Sequence, residues 1–431
     1  ESGNESENKT FDSELSRNVF VCQRRASAEK ENEMRRGWMP WTNYQAVGQA
    51  VGENLRFAVY LEAEPGEPLP TLISWNPAKS WNEREVFTLS LGRNYLRAKT
   101  DGLLYVENPH PEEEQSRAPI LHFMNTMHSP VFRLGETSAK EWKEMMQEPN
   151  PLGYVEFSSK HALVTASLRN VEKHLDHPVK LMETYEYLMD CYARLMGFPD
   201  DDAEPPHTRP KCPVHLIEVD HSFMYATHYR TAYHYDAMES VLNSEQLVKS
   251  GWGPWHEIGH THQMPGYMFN GLTEVTVNLY SLEMQTSMGQ QARIDTPEMK
   301  KKIAEHFQAR NDYDTIEDVF MKLAMFWQLR LAFGDDFYPQ LHRYYREQDL
   351  NLPDDHAKKQ EFVLATARIS GWNPEPFFEA WGIPMDSQTL EEIRRFKKLE
   401  KPIWLYVDFS KVPPKGVVGM AYGKDKKKKS R

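Results

Sequence analysis

The chain has 431 residues, a formal net charge of −12 and 40 % hydrophobic residues, room for two or three domains at roughly 150 residues each. That acidity argues against a general nucleic-acid binder, and no apolar run approaches the ~20 residues of a transmembrane segment. Three cysteines, Cys22, Cys191 and Cys212, are too few for a disulfide framework. Cys191 and Cys212 are the nearer pair in sequence, but spacing alone does not join them.

Residues 1–8 have the composition of a flexible leader. The start at Glu1, with no signal peptide, reads as a mature secreted form or a trimmed chain. Residues 11–36 are mixed and charged, with a strand-like Asn18-Val19-Phe20-Val21 beside a helix. From Trp38 to Glu107 the period shortens to two. Residues 55–61 and 85–91 alternate, 102–106 is a short apolar run, and turn signals such as Glu64-Pro65-Gly66-Glu67-Pro68 separate them. Short strands at this spacing predict a β-sandwich, extended by residues 120–124 and 131–134. From Ser138 the period becomes helical, first over 140–146 and then over 170–196. A Pro-rich loop, 199–213, leads to an expected strand at 214–219. That strand and residues 224–229 are the candidates for a sheet edge bordering a cleft. Helices are predicted at about 297–309, 316–333, 337–345, 358–370 and 375–380. A returning strand is expected at 403–409, and a basic run at Lys426–Lys429 reads as a solvated tail.

The chemistry concentrates in residues 251–282. His256-Glu257-Ile258-Gly259-His260 is a HExxH pattern, and rows four apart share one helix face, so two imidazoles can meet one ion. Two neutral imidazoles suit zinc, and a catalytic zinc takes a third protein ligand and a water. Met264-Pro265-Gly266-Tyr267 ends that helix, and Leu272, Val275, Leu279 and Leu282 mark a second one. Glu274 projects from its first turns as the expected third ligand, with Glu283, more than two turns on, in reserve. Asn278 lies one turn beyond Glu274 on the same face and could orient a ligating histidine. Glu257, beside the ion, would act as general base and then return the proton to the leaving amine. His262 points to another face and reads as a structural histidine.

An oxyanion donor is also needed, and Tyr229, Tyr233, Tyr235, His228 and His234 crowd residues 228–235 without singling one out. Packing beneath the cleft is as good an account of any one of them. Trp252 and Trp255 precede the metal helix; an indole face there suits a sugar ring or an apolar side chain, and Trp255 equally suits the core.

These residues resemble the enhancin-like and mucin-degrading zinc metallopeptidases, a gluzincin family. The resemblance is carried by residues 252–260 (WGPWHEIGH) followed by 272–278 (LTEVTVN). Upstream, Gly102-Leu103-Leu104-Tyr105-Val106 and Phe132-Arg133-Leu134-Gly135 with Glu141-Trp142 share in it. Downstream, residues 333–338 and 377–382 do so too. It implies an α+β fold: an N-terminal β-sandwich packed on a mostly helical catalytic domain with a small sheet and C-terminal helices. The expected divisions are a leader and N-terminal segment at 1–36, the sandwich at 37–136, the zinc peptidase domain at 137–412 and a basic tail at 413–431. It further implies a secreted or cell-surface zinc endopeptidase acting on mucins and other O-glycosylated proteins. Such a cleft recognises a glycan beside the scissile bond, which adds weight to Trp252 as a sugar platform; Tyr229 and Tyr233 from the aromatic cluster are the other expected substrate-binding residues. The expected state is a monomer. A zinc peptidase without glycan dependence and a non-catalytic glycoprotein-binding relative are the alternatives.

Overall fold

The computed structural model describes residues 18–77, 79–108, 117–198 and 205–421. The expected leader and the run Lys426–Lys429 lie outside them, as does part of the Pro-rich loop. Two compact units account for the described residues, and each mixes sequence-distant pieces. The first takes residues 1–31, 40–187 and 210–257; the second takes 32–39, 188–209 and 258–431.

Three sheets build the first unit. A four-stranded sheet runs in the order Val19–Val21, Ile120–Met124, Arg56–Glu62, Gly92–Arg97, and a five-stranded sheet in the order Glu85–Thr88, Thr71–Trp75, Gly102–Glu107, Gln45–Val51, Met127–His128. The two share one apolar core, with Phe57, Val59, Leu61 and Phe123 from the first meeting Val47, Leu72, Leu104 and Val106 from the second. The opposite face of the five-stranded sheet is also covered. Tyr44, Ile73, Trp75 and Tyr105 pack there with Leu163, Ile217 and Ala232 of a third sheet. Burial on both faces explains why Gly102–Glu107 is almost uniformly buried, whereas Gly92–Arg97 alternates.

That third sheet has six strands in the order Val131–Arg133, Tyr154–Ser158, Ala162–Ser167, Val214–Val219, Arg230–His234, Met224–Thr227. Val131–Arg133 thus joins this sheet, pairing in parallel with Tyr154–Ser158. Val214–Val219 is an interior strand with every residue buried, which removes it as a cleft edge. Met224–Thr227 is the edge strand, paired antiparallel to Arg230–His234.

The second unit is helical. Thr273–Ser287 and Val319–Phe333 are buried on nearly all sides, which is why their apolar residues show no single stripe. Pro297–Ala309 starts on a Thr296 cap with proline at the first position, and Val319–Phe333 starts on Asp318, whose carboxylate accepts from Phe320 N and Met321 N. Phe337–Glu347, Asp355–Ser370, Glu375–Trp381 and Ser387–Ile393 complete the set. The expected strand at 403–409 is absent: Ile403–Leu405 is a short 3-10 turn after Pro402, and the remainder is irregular. Its apolar residues fill gaps rather than pair, for Trp327 Nε1 donates to the Phe409 carbonyl and Gln328 to those of Trp404 and Tyr406. All three cysteines are free and buried.

Candidate metal centre

The HExxH helix is Trp252–His260, and the chain passes from the first unit to the second within it. It ends where the sequence breaks it, in a turn followed by a 3-10 segment at Pro265–Tyr267. The next helix begins at Thr273, so Glu274 occupies its first turn. Ligand atoms of His256, His260 and Glu274 all lie within 4.8 Å of one another.

Gly259 makes this approach feasible. A Cβ on it would lie 3.0 Å from the Val277 carbonyl oxygen and 3.2 Å from Tyr280 Cβ, both on the glutamate helix. Gly253, six residues earlier on the same helix, instead abuts Met224 of the edge strand.

His260 is buried, and its Nδ1 lies 2.7 Å from Gln263 Oε1. An amide oxygen only accepts, so Nδ1 carries the proton. In the neutral ring Nε2 then presents a lone pair towards Glu274 Oε2, 3.6 Å away and too far for a hydrogen bond. Two electron-rich atoms facing each other without a shared proton fit a cation between them. With His256 supplying a second imidazole, the donor set is that of zinc. Glu257 follows His256 directly and is buried. Trp38, from the segment 32–39 of the second unit, meets the His260 ring edge-on at 5.8 Å.

Glu283, the reserve ligand, is excluded by its partner: its carboxylate pairs with Arg330, and both side chains are buried. His262 is structural. It is buried with Nδ1 2.9 Å from the Ile258 carbonyl, packs against Tyr192, and burial depresses its pKa to about 3. Asn278 is buried on the same helix as Glu274 and donates to the Glu274 carbonyl at 2.9 Å. The hydrogen bond that orients His260 comes from Gln263, which the sequence reading did not single out. A glutamine one turn past a ligand carries no signal of its own, and neither does Trp38.

The expected substrate contacts separate. Tyr233 is fully buried and donates to Thr231 Oγ1 at 3.0 Å, a core position within the sheet; it is corrected here from a cleft residue to a packing one. Tyr229 is half-buried at a positive φ of 73°, stacked on Trp81 at 5.3 Å, with its hydroxyl donating to Glu29. Burial and that bond raise its pKa to about 12, so it stays a phenol. Tyr235 is exposed against His234, and His228 is exposed too. Trp252 is half-buried, whereas Trp255 is core.

The fold and this ligand geometry define a HExxH metallopeptidase architecture. Residues 125–382 match the model of "Peptidase M60, enhancin and enhancin-like", and since that is more than half of the chain, the chain belongs to this family. Among solved structures, it is 31 % identical to a functionally unknown conserved protein from Bacillus anthracis (TM-score 0.85, covering 91 % of this chain and 82 % of that one). The M60 catalytic domain of Clostridium perfringens ZmpC, in complex with the sialyl T antigen, is 20 % identical (TM-score 0.80, covering 91 % and 82 %), a likeness of fold. Among curated proteins, human TRPM8 channel-associated factor 2 is 28 % identical over 317 residues, 71 % of this chain and 33 % of that protein. The chain therefore spans about a third of the length of such relatives. Among the described residues no helix is long and apolar enough to cross a membrane.

Proposed function

We propose that this chain is a zinc endopeptidase for O-glycosylated proteins such as mucins, secreted or displayed at a cell surface and working as a monomer. The observation that carries the reading is the convergence of His256, His260 and Glu274 with Glu257 in the next position of the same helix. On this reading residues 137–412 form the catalytic domain and 37–136 a β-sandwich beside it.

His256, His260 and Glu274 would hold the ion. When bound, zinc supplies a Lewis acid and acidifies a coordinated water. Glu257 takes the proton from the attacking water on its carboxylate and returns it to the departing amine nitrogen. The edge strand Met224–Thr227 offers backbone groups along which an extended substrate can pair. Trp252 offers an indole face to a sugar ring, and Tyr229 a second aromatic wall. The glycan preference draws support from two structural neighbours solved in complex with the sialyl T and Tn antigens.

The test is incubation of a mucin-type glycoprotein with the zinc-loaded chain, before and after enzymatic removal of its O-glycans. Cleavage of the glycosylated form alone is expected. Cleavage of both forms would leave a peptidase indifferent to sugar. Cleavage of neither would favour a second reading, suggested by the name of the curated relatives: a scaffold that associates with a membrane channel.

A further inference from the structure

We propose that Gln263 is a positioning residue of the metal centre, one amide that fixes the proton of His260 and ties that histidine to the helix bearing Glu274. The proposal rests on the metal-centre reading above. Gln263 is fully buried, three residues beyond His260, so both ends of its amide must find partners inside the protein. Its Nε2 donates to the Thr273 carbonyl at 2.8 Å and to Thr276 Oγ1 at 2.7 Å. The first of these atoms can only accept. The second spends its own hydrogen on the Leu272 carbonyl, 3.2 Å away. The NH₂ end of Gln263 is therefore anchored, and the amide cannot flip without abandoning two hydrogen bonds.

Two consequences follow from that anchoring. Gln263 Oε1 must face His260 Nδ1, which keeps the imidazole hydrogen there and leaves Nε2 turned towards Glu274 as the ligating atom. The anchors themselves, Thr273 and Thr276, flank Glu274 in the first turn of a helix that has no side-chain cap of its own. One side chain thus sets the tautomer of one ligand and the approach of another. The far side of the residue is held as well, because the Gln263 carbonyl accepts from Trp38 N at 3.2 Å, and the Trp38 ring meets the His260 ring. Asparagine would be one methylene short. Glutamate could still accept from His260 but would turn an oxygen towards the Thr273 carbonyl.

The experiment uses the full chain with zinc, and with cobalt as a spectroscopic substitute. Competition against a chromogenic chelator gives the zinc affinity, and visible absorption of the cobalt form reports the coordination sphere. Gln263→Leu should weaken zinc by roughly ten- to a hundredfold and alter the cobalt spectrum. Gln263→Glu should recover part of that loss by accepting from Nδ1–H. Wild-type affinity together with a wild-type cobalt spectrum in Gln263→Leu would overturn the proposal. Thr276→Val, which removes one anchor and leaves Gln263 in place, covers the case in which Gln263→Leu does not fold. It should weaken zinc several-fold with unchanged far-ultraviolet dichroism, and undiminished affinity would count equally against the clamp. Failure of the wild-type chain to bind either ion would overturn the metal centre itself, an outcome distinct from unmoved variants of a chain that does bind.

Discussion

Gly259 and Val277 meet backbone to backbone: a Cβ on the glycine would lie 3.0 Å from the valine carbonyl oxygen and 3.1 Å from its Cγ2. The obstacle is a helix buried on nearly all sides, which cannot step back cheaply. Gly259→Ala should therefore cost about 1–3 kcal/mol in urea unfolding and weaken zinc binding as the two helices part. At Gly253 the added methyl meets only the Met224 thioether, the end of a flexible side chain. Gly253→Ala should stay within ~1 kcal/mol of wild type, since alanine favours a helix by about that amount. Equal midpoints for the two variants would contradict the helix-contact argument.

The two acids of the glutamate helix should behave as opposites. Glu274 is more than half exposed at 58 %, so Glu274→Gln should lose zinc with little change in the melting temperature of the metal-free protein. Glu283 is buried against Arg330, and Glu283→Ala should destabilise the fold by about 3 kcal/mol, leaving a buried cation with Asp335 but without its buried carboxylate partner. It should retain zinc wherever the chain is folded. Thermal melts with and without zinc separate the two cases.

Glu257→Gln should keep the metal and abolish turnover, because the amide preserves shape while giving up the basic oxygen. A loss of at least about a hundredfold in kcat, at unchanged zinc stoichiometry, is the expected result. Substantial residual kcat would place the base elsewhere.

Much of this site was legible because its signals are local. The HExxH spacing, the Pro265-Gly266 break and the restart near Thr273 all act within one or two turns, and helices form at Trp252–His260 and Thr273–Ser287 accordingly. Mixed α/β character was equally open to a reading by period. What escaped has long-range or two-sided causes. Tyr154–Ser158 and Ala162–Ser167 have continuously buried central residues, so they lack the alternation that announces a strand. Ile403-Trp404-Leu405 is apolar because it plugs the helical unit, a role that looks like a strand in isolation. Tyr233 lay in a conspicuous aromatic cluster, but only the three-dimensional sheet shows that it points into the core.

A pH dependence should arise far from the metal. Glu156 is buried in the first unit, accepts from Thr165 Oγ1 at 2.9 Å, and desolvation raises its pKa from 4.5 to about 7. Because the folded value exceeds the unfolded one, its neutral form favours folding below about pH 4.5, and that contribution fades as the pH rises through 7. Glu156→Gln should flatten the stability profile between those limits and gain on the order of 3 kcal/mol, at most, above pH 7. Urea midpoints at pH 5 and pH 8 for both proteins, taken on metal-free chain, measure it; parallel profiles would show that Glu156 is ionised throughout.

The short stretch Asn32–Met39 belongs with the helical unit and sets Trp38 against the His260 ring, yet it lies well upstream of residue 125, where the family match begins. A fragment trimmed to the family boundaries would bare one side of His260 and leave the Gln263 carbonyl without its donor.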